Sequence, residues 1–209
     1  MNDRTSPPQS TRDALLDTAS QVFAEKGFDA SSVREITARA GTNLGAITYH
    51  FGSKAALFEA VLARHQAPLV EKMEAAAWGP GTTLERLEAV VQAHFSHLAD
   101  HPEVRRLLSQ VLLGPAVLPE AAAQNLRRML GVVAGLIARG QTEGVFRKGD
   151  PRLLTIAVMS QPIMLNVMRG PLRAGPHIEM DDAAVRADLL ANALRFIRGG
   201  LLRSPGREV

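Results

Sequence analysis

The sequence predicts an all-α protein of about nine helices, and three observations carry that prediction. Aromatic residues make up 4% of the 209 residues while Ala, Leu and Val abound, which suits helices better than strands. Apolar residues recur at helical spacing in one segment after another. Ser, Thr and Asp caps and Gly or Pro stops bound those segments. A hydrophobic fraction of 46% against 22% charged residues, with mean hydropathy near zero, supplies a core and excludes wholesale disorder.

The elements follow in order. Met1–Ser10 reads as a frayed polar tail, without the apolar run of a signal peptide. Thr11–Lys26 carries Leu15, Leu16, Ala19, Val22 and Phe23 on a helical stripe that Gly27 ends. Ser31 or Ser32 caps a short helix through Ala40, with Glu35 placed for a capping box, and Gly41 stops it. Leu44–His50 is a second short helix. Gly52-Ser53 breaks it, and Ser53 caps a long helix from Lys54 to about Ala77. After Gly79-Pro80-Gly81, Thr82 or Thr83 caps a helix to about His101 with the stripe Leu84, Leu87, Val91, Phe95 and Leu98. Pro102 opens a helix to about Leu113, stopped by Gly114-Pro115. Pro119–Glu143 is long and ends at Gly144. Asp150-Pro151 starts a helix to about Met168, with a kink expected at Pro162. Gly170–Pro176 reads as a loop. Asp181 or Asp182 caps a last helix to about Leu202, with Val185, Leu189, Leu190, Leu194, Ile197 and Leu201 on its apolar stripe. No segment reads as a strand, a repeat or a membrane span.

Composition also removes whole classes of function. The chain has no cysteine, which excludes disulfides, thiolate metal sites and cysteine nucleophiles. It holds no HExxH, no Gly-rich phosphate loop and no EF-hand loop. A helical enzyme is therefore unsupported, and no cofactor is expected. The net charge is +3, yet residues 1–65 hold seven basic and seven acidic side chains. Any affinity of this part for nucleic acid must come from placed groups and not from bulk charge.

Residues 32–51, SVREITARAGTNLGAITYHF, form a helix-turn-helix pattern. Two short helices flank Gly41-Thr42-Asn43. Val33, Ile36 and Ala40 from the first, and Leu44 or Ala46, Ile47 and Phe51 from the second, face a core. Gly41 permits the tight turn. Such a pair sets its second helix into a DNA major groove.

The residues around it extend the likeness. A-x-x-V-F-A-E-K-G-F at Ala19–Phe28, S-S-V-R-E-I-T-A-R-A-G, A-I-T-Y-H-F-G-S-K and A-L-F-E-A-V-L run in order over about fifty residues. This stretch resembles the DNA-binding domain of the tetracycline-repressor (TetR/AcrR-like) regulators. Two positions depart from that pattern: Thr42 replaces an apolar valine, and Thr48 replaces a tyrosine that meets the DNA backbone. The resemblance implies a DNA-binding domain over residues 9–69 and a larger helical ligand-binding and dimerisation domain over 70–209. Its implied DNA contacts are Ser32, Arg34, Asn43, Leu44, Gly45, Ala46, Thr48, Tyr49, His50 and Lys54. Ser32 caps its helix where backbone N–H groups can meet a phosphate. Arg34 can reach a guanine edge or a phosphate, and Lys54 is a phosphate contact by position.

In the larger part the likeness is architectural. It implies that the helices at about 150–168 and 181–202 pair with those of a second copy. Ile156, Val158, Met159, Ile163, Met164 and Leu165 exceed what one buried face requires and support that seam. An effector pocket is expected among Trp78, Phe95, Met129, Met159 and Met164, with Gln110, Gln161 and Asn166 as its polar groups. His94, His97 and His101 share one side of their helix at a spacing that suits a metal. They flank the apolar stripe and are expected to meet solvent, and no metal is assigned to them. The expected function is that of a cytoplasmic one-component transcriptional regulator. It would be a repressor that binds a near-palindromic operator as a homodimer and is released by a small molecule. The alternative is a helical protein-binding adaptor without specific DNA binding.

Overall fold

A computed structural model describes residues 10–113 and 120–203. The described residues form ten α-helices and one isolated antiparallel β-bridge, between Phe146 and Leu202. The expected tail at residues 1–9, the stop at Gly114-Pro115 and the start at Pro119 lie outside them. Ser10 does not belong to a tail: its hydroxyl accepts from the Asp13 amide at 3.2 Å and caps the first helix.

The N-terminal helices are α1 (Thr11–Ala30), α2 (Val33–Arg39) and α3 (Gly45–Phe51). Gly27 ends the first helical stretch of α1, as expected, with non-helical φ/ψ, and a short second stretch continues α1 beyond this kink. Its φ of +85° lies where a side chain is strained, and the chain re-enters helix to Ala30. The kink brings Phe28 back onto Phe23 and Phe58, whose ring centroids lie 5.0–6.0 Å apart. Leu15, Ala19, Val22, Phe23, Ile36, Ile47, Leu57 and Val61 close the core of this part. Only half of the expected capping box forms: Ser32 Oγ accepts from the Glu35 amide, while the Glu35 carboxylate bonds Lys26 and Arg39 instead.

Helix α4 (Lys54–Ala77) starts at the Ser53 cap and runs unbroken through Pro68. Its first half packs in the N-terminal core, and Leu69, Val70, Met73 and Ala77 enter the second core. Helix α5 (Thr83–Asp100) starts with a complete capping box between Thr82 and Glu85. After it come α6 (Pro102–Leu113), α7 (Glu120–Thr142) and α8 (Pro151–Val167), the last capped by Asp150. Pro162 does not break α8. A short helix, α9 (Arg169–Ala174), replaces the expected loop at 170–176. Helix α10 (Ala183–Leu201) is capped by Asp182.

The second core lies between α4, α5, α7, α8 and α10. Two contacts close it from the chain's end. Phe146 lies against Gly140, with its main-chain neighbours bonded to the end of α10 through Arg147 N to Leu201 O at 2.8 Å. The Arg198 guanidinium donates to the buried carboxylate of Glu88, Nη2 to Oε2 at 2.6 Å.

Helix α6 belongs to both parts. Leu107 is buried in the N-terminal core, and Gln110 Nε2 donates to the Phe23 carbonyl of α1 at 2.9 Å.

Candidate nucleic-acid interface

The turn between α2 and α3 is built by local chemistry. Gly41 takes φ +65°, and the Thr42 amide donates to the Thr37 carbonyl at 2.9 Å. Thr37 itself is buried and returns its hydroxyl to the Val33 and Arg34 carbonyls. The pair of helices is then fixed by Ile36 and Ile47, both closed from solvent. Arg12 adds a cation–π contact to the Phe51 ring at 5.2 Å.

With that scaffold buried, a polar and aromatic set remains outside. Ser32, Arg34, Asn43, Leu44, Gly45, Thr48 and Tyr49 are exposed. Tyr49 is 85% exposed, an unusual position for a large ring. It meets the half-buried His50 edge to face, with centroids 4.9 Å apart. Arg34 forms no ion pair among the described residues, unlike Lys26 and Arg39, which are committed to Glu35 and Glu25. Hydrogen bonding from Lys26 holds the Glu35 carboxyl below its ordinary value.

Two of the ten expected contact residues stand differently. Ala46 is buried, so its methyl group packs inward with Ile47, and Leu44 is the residue turned outward. The core position left open between these two thus falls to Ala46. Lys54 is half-buried. Its ammonium donates to the Ser31 carbonyl at 2.7 Å and sits 4.4 Å from the centre of the Phe28 ring, so it ties α4 to the end of α1.

The expected effector residues are spread over the helical part. Trp78 is 80% exposed, beyond the end of α4. Met129 and Met159 are closed within the second core, and Phe95 is buried in α5. Gln110 faces α1, Gln161 is half-buried and Met164 is exposed. Asn166 alone of the eight lines a described cavity, which α6, α8, α9 and the α9–α10 connection enclose.

The histidines are also placed differently from expectation. His94 and His97 are buried rather than solvent-facing. Helix α5 is covered by α4, α6, α7, α8 and α10, so residues beside its apolar stripe are enclosed too. Burial first, and then the neighbouring His97, push His94 down to about 4; burial first, and then His101, do the same for His97. No group of three or more potential ligands gathers closely enough to hold a metal among the described residues.

For the intended seam, Val158 and Met159 belong to the chain's own core. Leu153, Ile156 and Met164 of α8 and Phe196 of α10 are exposed. Phe196, 69% exposed, lay outside the stripe read from the sequence; a lone phenylalanine among Arg195, Arg198 and two glycines was the available signal.

Comparison with known proteins gives two family matches. Residues 15–61 match the model of bacterial regulatory proteins of the tetR family, and residues 84–197 match a tetracyclin repressor-like C-terminal domain. The chain is 29% identical over 210 residues to the HTH-type transcriptional repressor NicS of Pseudomonas putida, covering 96% of each chain. It is 35% identical over 102 residues to the HTH-type transcriptional activator FasR of Mycolicibacterium smegmatis, covering 49% of this chain and 47% of that one. The transcriptional regulator FadR of Bacillus subtilis, solved in complex with stearoyl-CoA, shares the fold with a TM-score of 0.76, at 22% identity over 90% of this chain and 97% of that one.

Proposed function

The chain belongs to the tetR family of bacterial regulatory proteins, and from that premise we propose that it is a ligand-responsive repressor. It is a transcriptional regulator and not an enzyme. In the proposed reading a homodimer sets two copies of α3 into successive major grooves of a near-palindromic operator, about 34 Å apart. Residues 9–69 serve as the DNA-binding domain and residues 70–209 as the helical effector and dimerisation domain. The repressor role rests on the likeness to NicS over nearly the whole chain. The protein works in the cytoplasm, with its DNA; among the described residues no helix is long and apolar enough to cross a membrane.

The observation that carries this reading is the outward set on the helix-turn-helix. Arg34, Leu44, Thr48 and Tyr49 contribute little to the fold that holds them, yet they project from one small, rigidly cored unit. Arg34 and Tyr49 supply base or phosphate contacts, Leu44 an apolar contact such as a thymine methyl, and the Ser32 cap a phosphate contact. Lys54 contributes by fixing the start of α4 and by its charge.

The dimer rests on the apolar side chains left open on α8 and α10, which pack against each other within the chain. A second copy covering them would bury Leu153, Ile156 and Phe196. The effector acts from the helical domain by binding one of two conformations more tightly, which is the only way it can shift operator affinity.

The test is a footprint on the intergenic DNA beside the gene. Protection of a near-palindrome, lifted by a small molecule, is expected. Absence of protection at every flanking promoter would overturn the reading in favour of a protein-binding adaptor.

A further inference from the structure

A cavity of about 410 Å³ opens between α6, α8, α9 and the α9–α10 connection. Four arginines line it: Arg105 and Arg106 from α6, and Arg169 and Arg173 from α9. Two carboxylates face them. Asp181 pairs with Arg169, and Glu179 lies 3.4 Å from Arg173. The wall thus carries two more positive charges than negative ones, and both unbalanced charges are on one turn of α6.

Those two arginines have no carboxylate of their own among the described contacts. Arg105 spends one N–H on the Leu98 carbonyl at 3.1 Å and keeps the rest of its five donors. Arg106 is exposed and makes no ion pair among the described residues. Burial first, and then the charges of Arg169 and Arg106, push the Arg105 guanidinium down, against a partial offset from Asp181 and Glu103. With four arginines against two carboxylates on the wall, an added anion would be favoured there.

A second, separate feature points the same way. Asn166 is fully buried and lines the cavity. Its Nδ2 donates to the Pro162 and Phe95 carbonyls, while its Oδ1 has no partner. A buried amide oxygen without a donor is costly.

We propose that this cavity binds a small organic oxyanion, a phosphate ester or a carboxylate, that carries a hydroxyl or amide donor beside the charged group. Arg105 and Arg106 hold the oxyanion through the planar forks suited to carboxylate and phosphate, and the adjoining donor satisfies Asn166. The volume matches a small metabolite and not a macromolecule. This names the chemical class of the effector and rests on the ligand-responsive reading above. The site also has a route to the DNA-binding part: the helix that carries Arg105 and Arg106 seats Leu107 in the N-terminal core and bonds α1 through Gln110.

Calorimetric titration of the full-length protein with glycerol 3-phosphate, and separately with 2-hydroxyglutarate, at fixed ionic strength tests the site. One saturable event per chain is expected with at least one probe, and the responding probe tells phosphate from carboxylate. Arg106→Gln, an exposed substitution that leaves the helical circular dichroism unchanged, should weaken it about tenfold, and Arg106→Glu more. Arg34→Gln in the DNA-binding part should leave it unchanged. No saturable binding of either probe, or full binding in both Arg106 variants, would overturn the proposal. The titration does not involve operator DNA, and the footprint does not involve the anion, so the two readings fail separately.

Discussion

Gln110 of α6 reaches across to α1 and donates its amide N–H to the Phe23 carbonyl at 2.9 Å, 87 residues away in sequence. The bond lies beside the Gly27 kink, where an added Cβ would meet the Gln110 amide at 3.8–3.9 Å. Removing it leaves a main-chain acceptor facing an apolar neighbour. Gln110→Leu should cost about 1 kcal/mol, and hydrogen exchange should locate the loss. Amides near the end of α1 are expected to exchange faster while those of α7 and α8 keep their protection.

The exposed set on the helix-turn-helix predicts losses of binding without losses of stability. Arg34→Ala and Tyr49→Ala should each weaken operator binding by roughly tenfold or more, as read by gel shift at fixed salt. Melting temperatures should stay within about 1–2 °C, because neither side chain supports the core. Ala46→Leu should instead lower stability, because that methyl lies inside.

Phe196 and Leu153 predict the oligomeric state. A charge at Phe196 meets water in the monomer and an apolar surface in the proposed dimer. Phe196→Asp should shift the protein from dimer to monomer in light scattering at micromolar concentration while its helical content is kept. A dimer of undiminished strength would place the seam elsewhere.

Gly140 predicts a local limit on packing. A Cβ there would stand 2.1 Å from Cδ2 of Phe146, well inside contact distance. Gly140→Ala should destabilise the protein by roughly 1–3 kcal/mol through overpacking. In a Phe146→Leu background the same substitution should cost less, and a double-mutant cycle measures the difference.

His94 and His97 predict acid sensitivity. Both are buried and neutral in the fold, with values near 4 against an ordinary 6.5. Above pH 6.5 neither state takes up the proton, and stability does not depend on them. Between pH 6.5 and about 4 the unfolded chain is protonated first, so stability falls as pH falls, by about 1 kcal/mol per pH unit from His94 alone. Below about pH 4 the effect levels off. Denaturant melts of wild type and His94→Gln across this window should converge as pH falls.

What the sequence revealed follows from which interactions are local. Helix starts at Ser53, Thr82, Asp150 and Asp182 were legible because a cap and its amide lie within three residues. The choice between Leu44 and Ala46 was not, because a seven-residue helix is too short for periodicity to separate them. His94 and His97 were placed toward solvent because a single apolar stripe implies a single buried face, whereas α5 is enclosed on several sides. The stop at Gly27 was legible because glycine takes positive φ freely, whereas the short helical stretch after it, to Ala30, has no apolar period of its own. The arginine cavity joins residues 105–109 of α6 to the stretch 166–181, far apart in sequence, and no local spacing signals that they meet.

The seating of α6 in the N-terminal core limits modularity. Leu107 and Ala122, far along the chain, complete a core otherwise made by α1 to α4. An excised fragment ending within α4 would expose their places on Phe23 and its neighbours. A chimera that joins residues 1–69 to another regulator's helical domain therefore inherits a socket without its plug, unless residues 107–122 travel with the graft.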